Sequence, residues 1–193
     1  MYDRSLEYVH LSMCLEGLGN IMTCPVPEGF SIRRYRAGDE KHWAHIETTA
    51  GEFGNEADAL KGFEKYYGAD RLLLPERMYF ITDETGIPAA TASAWFNGRD
   101  GALHWVAVRE DMQGKGLSKP VVSAALLRLK DLGYTRVTLG TQPPSWVAIK
   151  VYLEFGFRPV RPAAEKEYNG WVQVFSKLGT DFPEELCTDY RLP

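Results

Sequence analysis

The segment Leu103–Leu132 constrains this chain more than any other. Leu103-His-Trp-Val-Ala-Val108 reads as a strand and Arg109–Met112 as a short polar turn. Gln113-Gly-Lys-Gly-Leu-Ser118 is a glycine-containing loop, and from Leu117 to Leu132 the period becomes helical. Val121, Val122, Ala125, Leu126, Leu129 and Leu132 form a wide apolar face, and Gly133 supplies the stop. Pro120 falls in the first turn, where its missing N–H has no partner to lose. Gly114 and Gly116 let the backbone turn tightly, so that consecutive N–H groups converge on one point. The helix that follows adds its free N-terminal N–H groups and the positive end of its dipole. Such a nest suits a pyrophosphate, with Lys115 and Lys119 at its rim. The bland alternative is a glycine turn that binds nothing. Neither GxxxxGK[ST] nor GxGxxG is present, so the common nucleotide loops do not apply.

The surrounding pattern supplies a sheet. Residues 5–14 alternate and predict a strand or extended arm, and Cys24-Pro-Val-Pro-Glu-Gly29 reads as a connector. Phe30–Tyr35 is the first strand of the main body. A helix over 39–50 follows, with Trp43 and Ile46 inward. A second begins at the N-cap Asn55, with Leu60, Phe63 and Tyr67 on one stripe. Met78–Asp83, Ala89–Asn97 and Leu103–Val108 predict an antiparallel meander. After the long helix come a strand at Arg136–Leu139 and a last helix at Trp146–Phe155, capped by Ser145. Phe157–Val160 and Trp171–Leu178 read as closing strands, and 179–193 as a polar tail. The expected fold is α/β, with a mixed, mostly antiparallel central sheet flanked by helices. It forms a single domain: an arm at 1–28, a core at about 29–178 and the tail.

Composition narrows the function. With 22 Lys plus Arg against 26 Asp plus Glu among 193 residues, the formal net charge is −4, which disfavours sequence-independent nucleic-acid binding. Cys14, Cys24 and Cys187 have no CxxC spacing, and four histidines without a Cys/His cluster give no metal site. His42 and His45, three apart on a helix, read as ordinary imidazoles. No stretch of 18 uncharged residues suggests a membrane span, and residues 1–20 lack a signal-peptide core, so a cytoplasmic location is expected.

Gln113-Gly114-Lys115-Gly116-Leu117-Ser118 resembles the [QR]-x-x-G-x-[GA] acyl-CoA loop of the GNAT family, the Gcn5-related N-acetyltransferases. Val106-Ala107-Val108 resembles the strand on which that family splays its sheet and holds the pantetheine arm. Ser145-Trp-Val-Ala148-Ile-Lys-Val-Tyr152-Leu-Glu-Phe-Gly156-Phe157 is similar to its second signature, N-x-x-A-x-x-x-Y-x-x-x-G-F. The resemblance implies acetyl-CoA as cosubstrate, held by these residues together with Lys119 and Ser145. It also implies direct transfer to a primary amine, of a small molecule or a peptide, in a ternary complex. A backbone N–H near Val108 would polarise the thioester carbonyl, and Tyr152 would protonate the leaving thiolate. Two positions depart from the pattern: Ser118 stands for Gly or Ala, and Ser145 for Asn. The strand Val137–Gln142 also lacks the glutamate that some members use as base. His104, Glu110, Glu52, Glu56 and a water chain remain candidates for that role; alternation puts His104 on the face of Val106 and Val108. A GNAT-like sensor that binds acyl-CoA without turnover is the other reading.

Charge is unevenly divided along the chain. Residues 112–136 sum to +4 and residues 37–70 to −5, so an acidic acceptor rim would favour cationic amines. Two solvated helix faces explain the same counts. A homodimer is possible through an edge strand at Trp171–Ser176 or through the arm.

Overall fold

The computed structural model describes residues 2–190; Met1 of the arm and residues 191–193 of the tail lie outside it. Seven strands make one sheet: β1 (Leu11–Glu16), β2 (Phe30–Arg34), β3 (Met78–Asp83), β4 (Pro88–Asn97), β5 (Asp100–Val108), β6 (Arg136–Thr141) and β7 (Arg158–Pro159). Their order is β2-β3-β4-β5-β6-β1-β7, antiparallel throughout except for the β5–β6 pair. Helices α1 (Glu40–Ala50) and α2 (Glu56–Tyr67) cover one face, with the short α3 (Leu74–Arg77) after them. α4 (Ser118–Asp131), α5 (Trp146–Glu154) and α6 (Glu165–Leu178) complete the set.

Local chemistry explains the elements. Asn55 accepts the Asp58 N–H at 2.9 Å and so starts α2. The β3–β4 turn is held by Asp83, whose Oδ1 takes the N–H groups of Thr85 and Ile87 at 3.0 and 3.1 Å. On α2, Phe63 and Tyr67 are buried as the stripe predicts, but Leu60 faces solvent. The sheet separates two apolar clusters. One gathers β1, α4, α5 and α6 around Met13, Val121, Leu126, Ile149 and Trp171; the other gathers α1 and α2 around Trp43, Phe63 and Tyr67.

Two expectations need correction. Trp171–Leu178 is not a strand but the second half of α6, and Trp146–Phe155 is therefore not the last helix. Its buried residues Trp171, Val174 and Phe175 recur at helical spacing, while Val172 is exposed. Glu165 and Glu167 favour the helix start, and Gly179 at φ +80° ends it. The edge strand offered for a homodimer at Trp171–Ser176 therefore does not exist. The alternation at residues 5–14 marks a real strand, but its pairing runs over Leu11–Glu16. β1 is no appendage: it lies between β6 and β7, paired Leu11–Thr141 through Glu16–Arg136. Of the tail, Phe182 stacks on Trp171 at 6.0 Å and Thr188 bridges to Val160.

Because Met13 is fully buried in this interior strand, Met13→Ala should lower unfolding stability by about 2–5 kcal/mol. A shifted urea midpoint with an unchanged slope would show it; an unchanged midpoint would mean that β1 is dispensable.

Candidate active site

The site begins where the sheet comes apart. β5 and β6 pair only at Gly101–Val137 and Ala102–Thr138, and beyond these the strands diverge. Gly101 allows close packing there, because a Cβ would lie 2.9 Å from Leu129 Cδ2 of α4 and 3.2 Å from the Tyr134 ring, and these side chains would have to shift. On its other side β5 stays paired with β4, but with one extra residue: Ser93 faces His104 and Thr91 faces Ala107. Trp105 takes up the excess at φ +49°, a left-handed conformation that a bulky residue rarely adopts. The bulge resets the alternation. His104 and Trp105 turn to the aromatic cluster of α2, whereas Val106 and Val108 pack against the α4–α5 cluster. His104 therefore does not share their face as alternation had suggested.

The bulge also aims the backbone. The Arg109 N–H donates to Ala89 C=O at 2.8 Å. Alternate residues of an antiparallel pair bond in opposite directions, so the N–H and C=O of Val108, and of Val106 before it, point into the gap. Ala107 points the other way, toward Thr91, with its side chain buried. The Val108 C=O is taken by Gln113 Nε2 at 3.2 Å, which ties the start of the glycine loop to the end of the strand.

Gly114 and Gly116 both sit at φ +79°; Gly114 faces open space, Gly116 lies against the Pro27 ring, and Leu117 anchors the loop in the core. α4 opens at Ser118 with no side-chain cap and no acid in its first turn, leaving its N–H groups to an incoming anion. Lys119 pairs with Glu154 of α5, and the Lys115 ammonium rests on Met112 Sδ at 3.2 Å.

Tyr152 on α5 is buried in the cluster that Val106 and Val108 pack against. Burial first, then the negative charges of Glu52 and Glu47, push its phenol well above the ordinary value, so it stays protonated. Glu52 follows α1 and reaches across to the β6–α5 junction. Its carboxylate accepts from Gln142 Nε2 at 3.0 and 3.1 Å and from Ser145 Oγ at 3.3 Å. Ser145 thus precedes the first residue of α5 without capping it by its side chain, contrary to expectation; its hydroxyl serves Glu52 instead. Burial raises the Glu52 pKa despite those two donors. Glu47 on the inner face of α1 is fully buried, and neither of its oxygens has a partner among the described residues. Burial, then repulsion from Glu52, raises its pKa well above the carboxylate range.

The sequence model of the acetyltransferase (GNAT) family matches residues 34–157, which include the gap, the glycine loop and α5. The chain belongs to the GNAT family. A mycothiol acetyltransferase of Actinosynnema mirum is 29% identical over 144 residues, 69% of this chain and 46% of the relative. A GCN5-related N-acetyltransferase from Sphaerobacter thermophilus superposes with a TM-score of 0.64 at 18% identity, over 79% of this chain and 50% of that one. The ribosomal-protein-S18-alanine N-acetyltransferase of Escherichia coli gives a TM-score of 0.53 at 25% identity, over 66% and 76%. The chain spans about half the length of the mycothiol acetyltransferase and of the Sphaerobacter protein.

Within this GNAT chain the acidic segment resolves into two kinds of carboxylate. Asp39, Glu40, Glu56, Asp58 and Glu64 have donors of their own: Arg33, Tyr35, His45, Lys61 and Arg71. Glu47 and Glu52 have no basic partner among the described residues and turn inward. Sequence reasoning counted Glu47 only as one of the acids of residues 37–70; the signal for its burial was its place four residues after Trp43, on the apolar stripe of α1.

His104 is half-buried, its buried Nδ1 has no partner among the described residues, and desolvation lowers its pKa to about 4. In the unfolded chain it takes a proton from about pH 6.5, so stability is lost as pH falls through the window between those values. His104→Gln should remove about 2–3 kcal/mol of the stability difference between pH 7 and pH 4.5. Urea denaturation of both proteins at the two pH values measures it, and parallel losses would contradict a buried neutral imidazole.

Proposed function

We propose that this chain transfers an acetyl group from acetyl-CoA directly to a primary amine, with both substrates bound at once. The supporting observation is the gap between β5 and β6. It supports the reading because the Val108 N–H points into it, the glycine loop is tied to its edge by Gln113, and Tyr152 lies in the cluster that Val106 and Val108 pack against, where Glu52 and Glu47 act on its phenol.

The residues present fit acetyl-CoA. Gly114, Lys115, Gly116, Leu117, Ser118 and Lys119 would hold its pyrophosphate through main-chain N–H groups, because a backbone open at φ +79° can turn several donors onto one anion. Val106 would bond a pantetheine amide along the unpaired edge of β5, leaving the Val108 N–H for the thioester. Bound there, acetyl-CoA supplies an acetyl group activated as a thioester. The Val108 N–H stabilises the negative charge that develops on the carbonyl oxygen. The amine nitrogen bonds the acetyl carbon as the C–S bond breaks, and Tyr152 gives its proton to the departing sulfur. Of the two protons the ammonium sheds, one passes through the Glu47–Glu52 pair to solvent and one restores Tyr152. An imidazole that ionises near pH 4 is a poor acceptor for an ammonium proton, so the carboxylates, raised toward neutrality by burial, take the role first considered for His104.

Tyr152→Phe should lower kcat about 100-fold while leaving the Kd of acetyl-CoA within about twofold, read by thiol release and by calorimetry. An unchanged kcat would discard the proton-donor role. Saturable acetyl-CoA binding without thiol release on any of a diverse set of amines would favour a sensor over an enzyme.

A further inference from the structure

Along one face of β6, Gly140 is followed two residues later by Gln142, whose backbone is still extended. Gln142 holds the half-buried Glu52 carboxylate, and Gly140 is covered by His10, whose Cε1 lies 2.8 Å from where a Cβ would stand. Ser12, paired with Gly140, shares this face, since Leu11 and Met13 on either side of it pack into the α4–α5 cluster. Beside His10 and Ser12 a cavity of about 700 Å³ opens where β7 gives way to α6, and the tail lends Asp189 and Tyr190 to its lining. That volume suits a small molecule. Sheet register sets how far it lies from Glu52. Leu11 pairs with Thr141 on one side; on the other, the Met13–Pro159 pair and the Val160 N–H on Ser12 C=O put Arg161 opposite Leu11. Arg161 therefore stands two strand spacings, about 10 Å, from the end of β6 where Gln142 holds Glu52.

Arg161, Glu167 and Asp189 line the cavity, and none of them is sealed from solvent. Arg161 donates its Nε–H to Asp189 Oδ1 and keeps its other N–H groups for an acceptor among the described residues or outside them. Glu167 takes the Ala163 N–H on Oε2 at 2.8 Å and keeps Oε1. Val160, Pro162 and Trp171 supply apolar wall. The cavity thus sets one guanidinium against two carboxylates, and Glu52 adds a third carboxylate at the far end of the span. An α,ω-diamino acid matches this arrangement group for group. Its carboxylate meets Arg161, its α-ammonium meets Glu167 and Asp189, and methylenes carry its far amine to Glu52. A simple diamine would bring an ammonium against Arg161, and a lysine within a peptide has neither end group free. We propose that the cavity seats the α-carbon end of a free diamino acid, and that Glu52 receives the amine to be acetylated. The seat rests on the acetyltransferase reading given above and names its acceptor class.

The test titrates L-lysine calorimetrically into the protein saturated with CoA, beside thiol-release assays with L-lysine, cadaverine, ε-aminocaproate and Nα-acetyl-lysine amide. L-Lysine should give the highest kcat/KM of these amines. Arg161→Gln should raise the KM of lysine about tenfold at unchanged kcat, and should not raise that of cadaverine, which has no carboxylate to lose. Glu167→Gln should raise the KM of lysine likewise and leave that of ε-aminocaproate, which lacks the α-ammonium, within about twofold. A higher kcat/KM for cadaverine or for the blocked lysine overturns the seat and leaves the acetyltransferase standing. So does an Arg161→Gln effect that lysine and cadaverine share equally. Lysine binding that weakens about tenfold in Arg161→Gln, with no thiol release from any amine, supports the seat and removes the acetyltransferase reading instead.

Discussion

Two residue pairs, Gly101 with Val137 and Ala102 with Thr138, join the halves of this sheet, and the site exists because the pairing stops there. A longer ladder would spend the N–H and C=O groups of Val106 and Val108 on β6. A shorter one would leave α4 without a continuous floor. The missing side chain at Gly101 lets Leu129 press α4 down at the junction, so the strands are clamped at one end and free at the other. From that clamp follow the unpaired edge of β5, the loop tied to its end by Gln113, and the room that Tyr152 of α5 borders.

The two ends of the gap use opposite electrostatics. At the loop end the groups open to an anion are backbone N–H groups and a helix terminus, which no count of charged residues sees. At the α1 end the ionisable groups are side chains: Glu47 and Glu52 have no basic partner among the described residues, and burial raises both of their pKa values. The net charge of −4 averages over both. It disfavoured nucleic acid, yet it is compatible with a compact pyrophosphate.

The glycine loop and α5 were legible because their signals are local. Gly114 and Gly116 sit at positive φ, and the apolar period of α4 runs through the stretch that showed it. What the residues alone did not disclose depends on tertiary placement. The bulge at Trp105 inverted the face of His104, and a period-2 reading has no means of locating an extra residue. Trp171-Val-Gln-Val-Phe-Ser176 alternates well enough for a strand; only its acidic lead-in and the stop at Gly179 speak for a helix. Glu47 was counted among surface acids, because an ionisable residue on an apolar stripe is usually a solvated neighbour rather than part of the core. Ser145 was read as a cap, and its true partner, Glu52, lies 93 positions away.

The position of β1 has a consequence for how the chain is assembled. Its partners on β6 stand 120 to 130 residues downstream, from Arg136 to Thr141, and β7 docks on its other edge. During synthesis Leu11–Glu16 must therefore remain unpaired until most of the protein has been made, with its apolar residues uncovered. The α5–α6 half of the sheet, and with it the seat of Tyr152, is completed last. The meander β3–β5, by contrast, can form from contacts close in sequence. The strand that carries Val108 can thus be in place on the ribosome well before the helix that carries Tyr152.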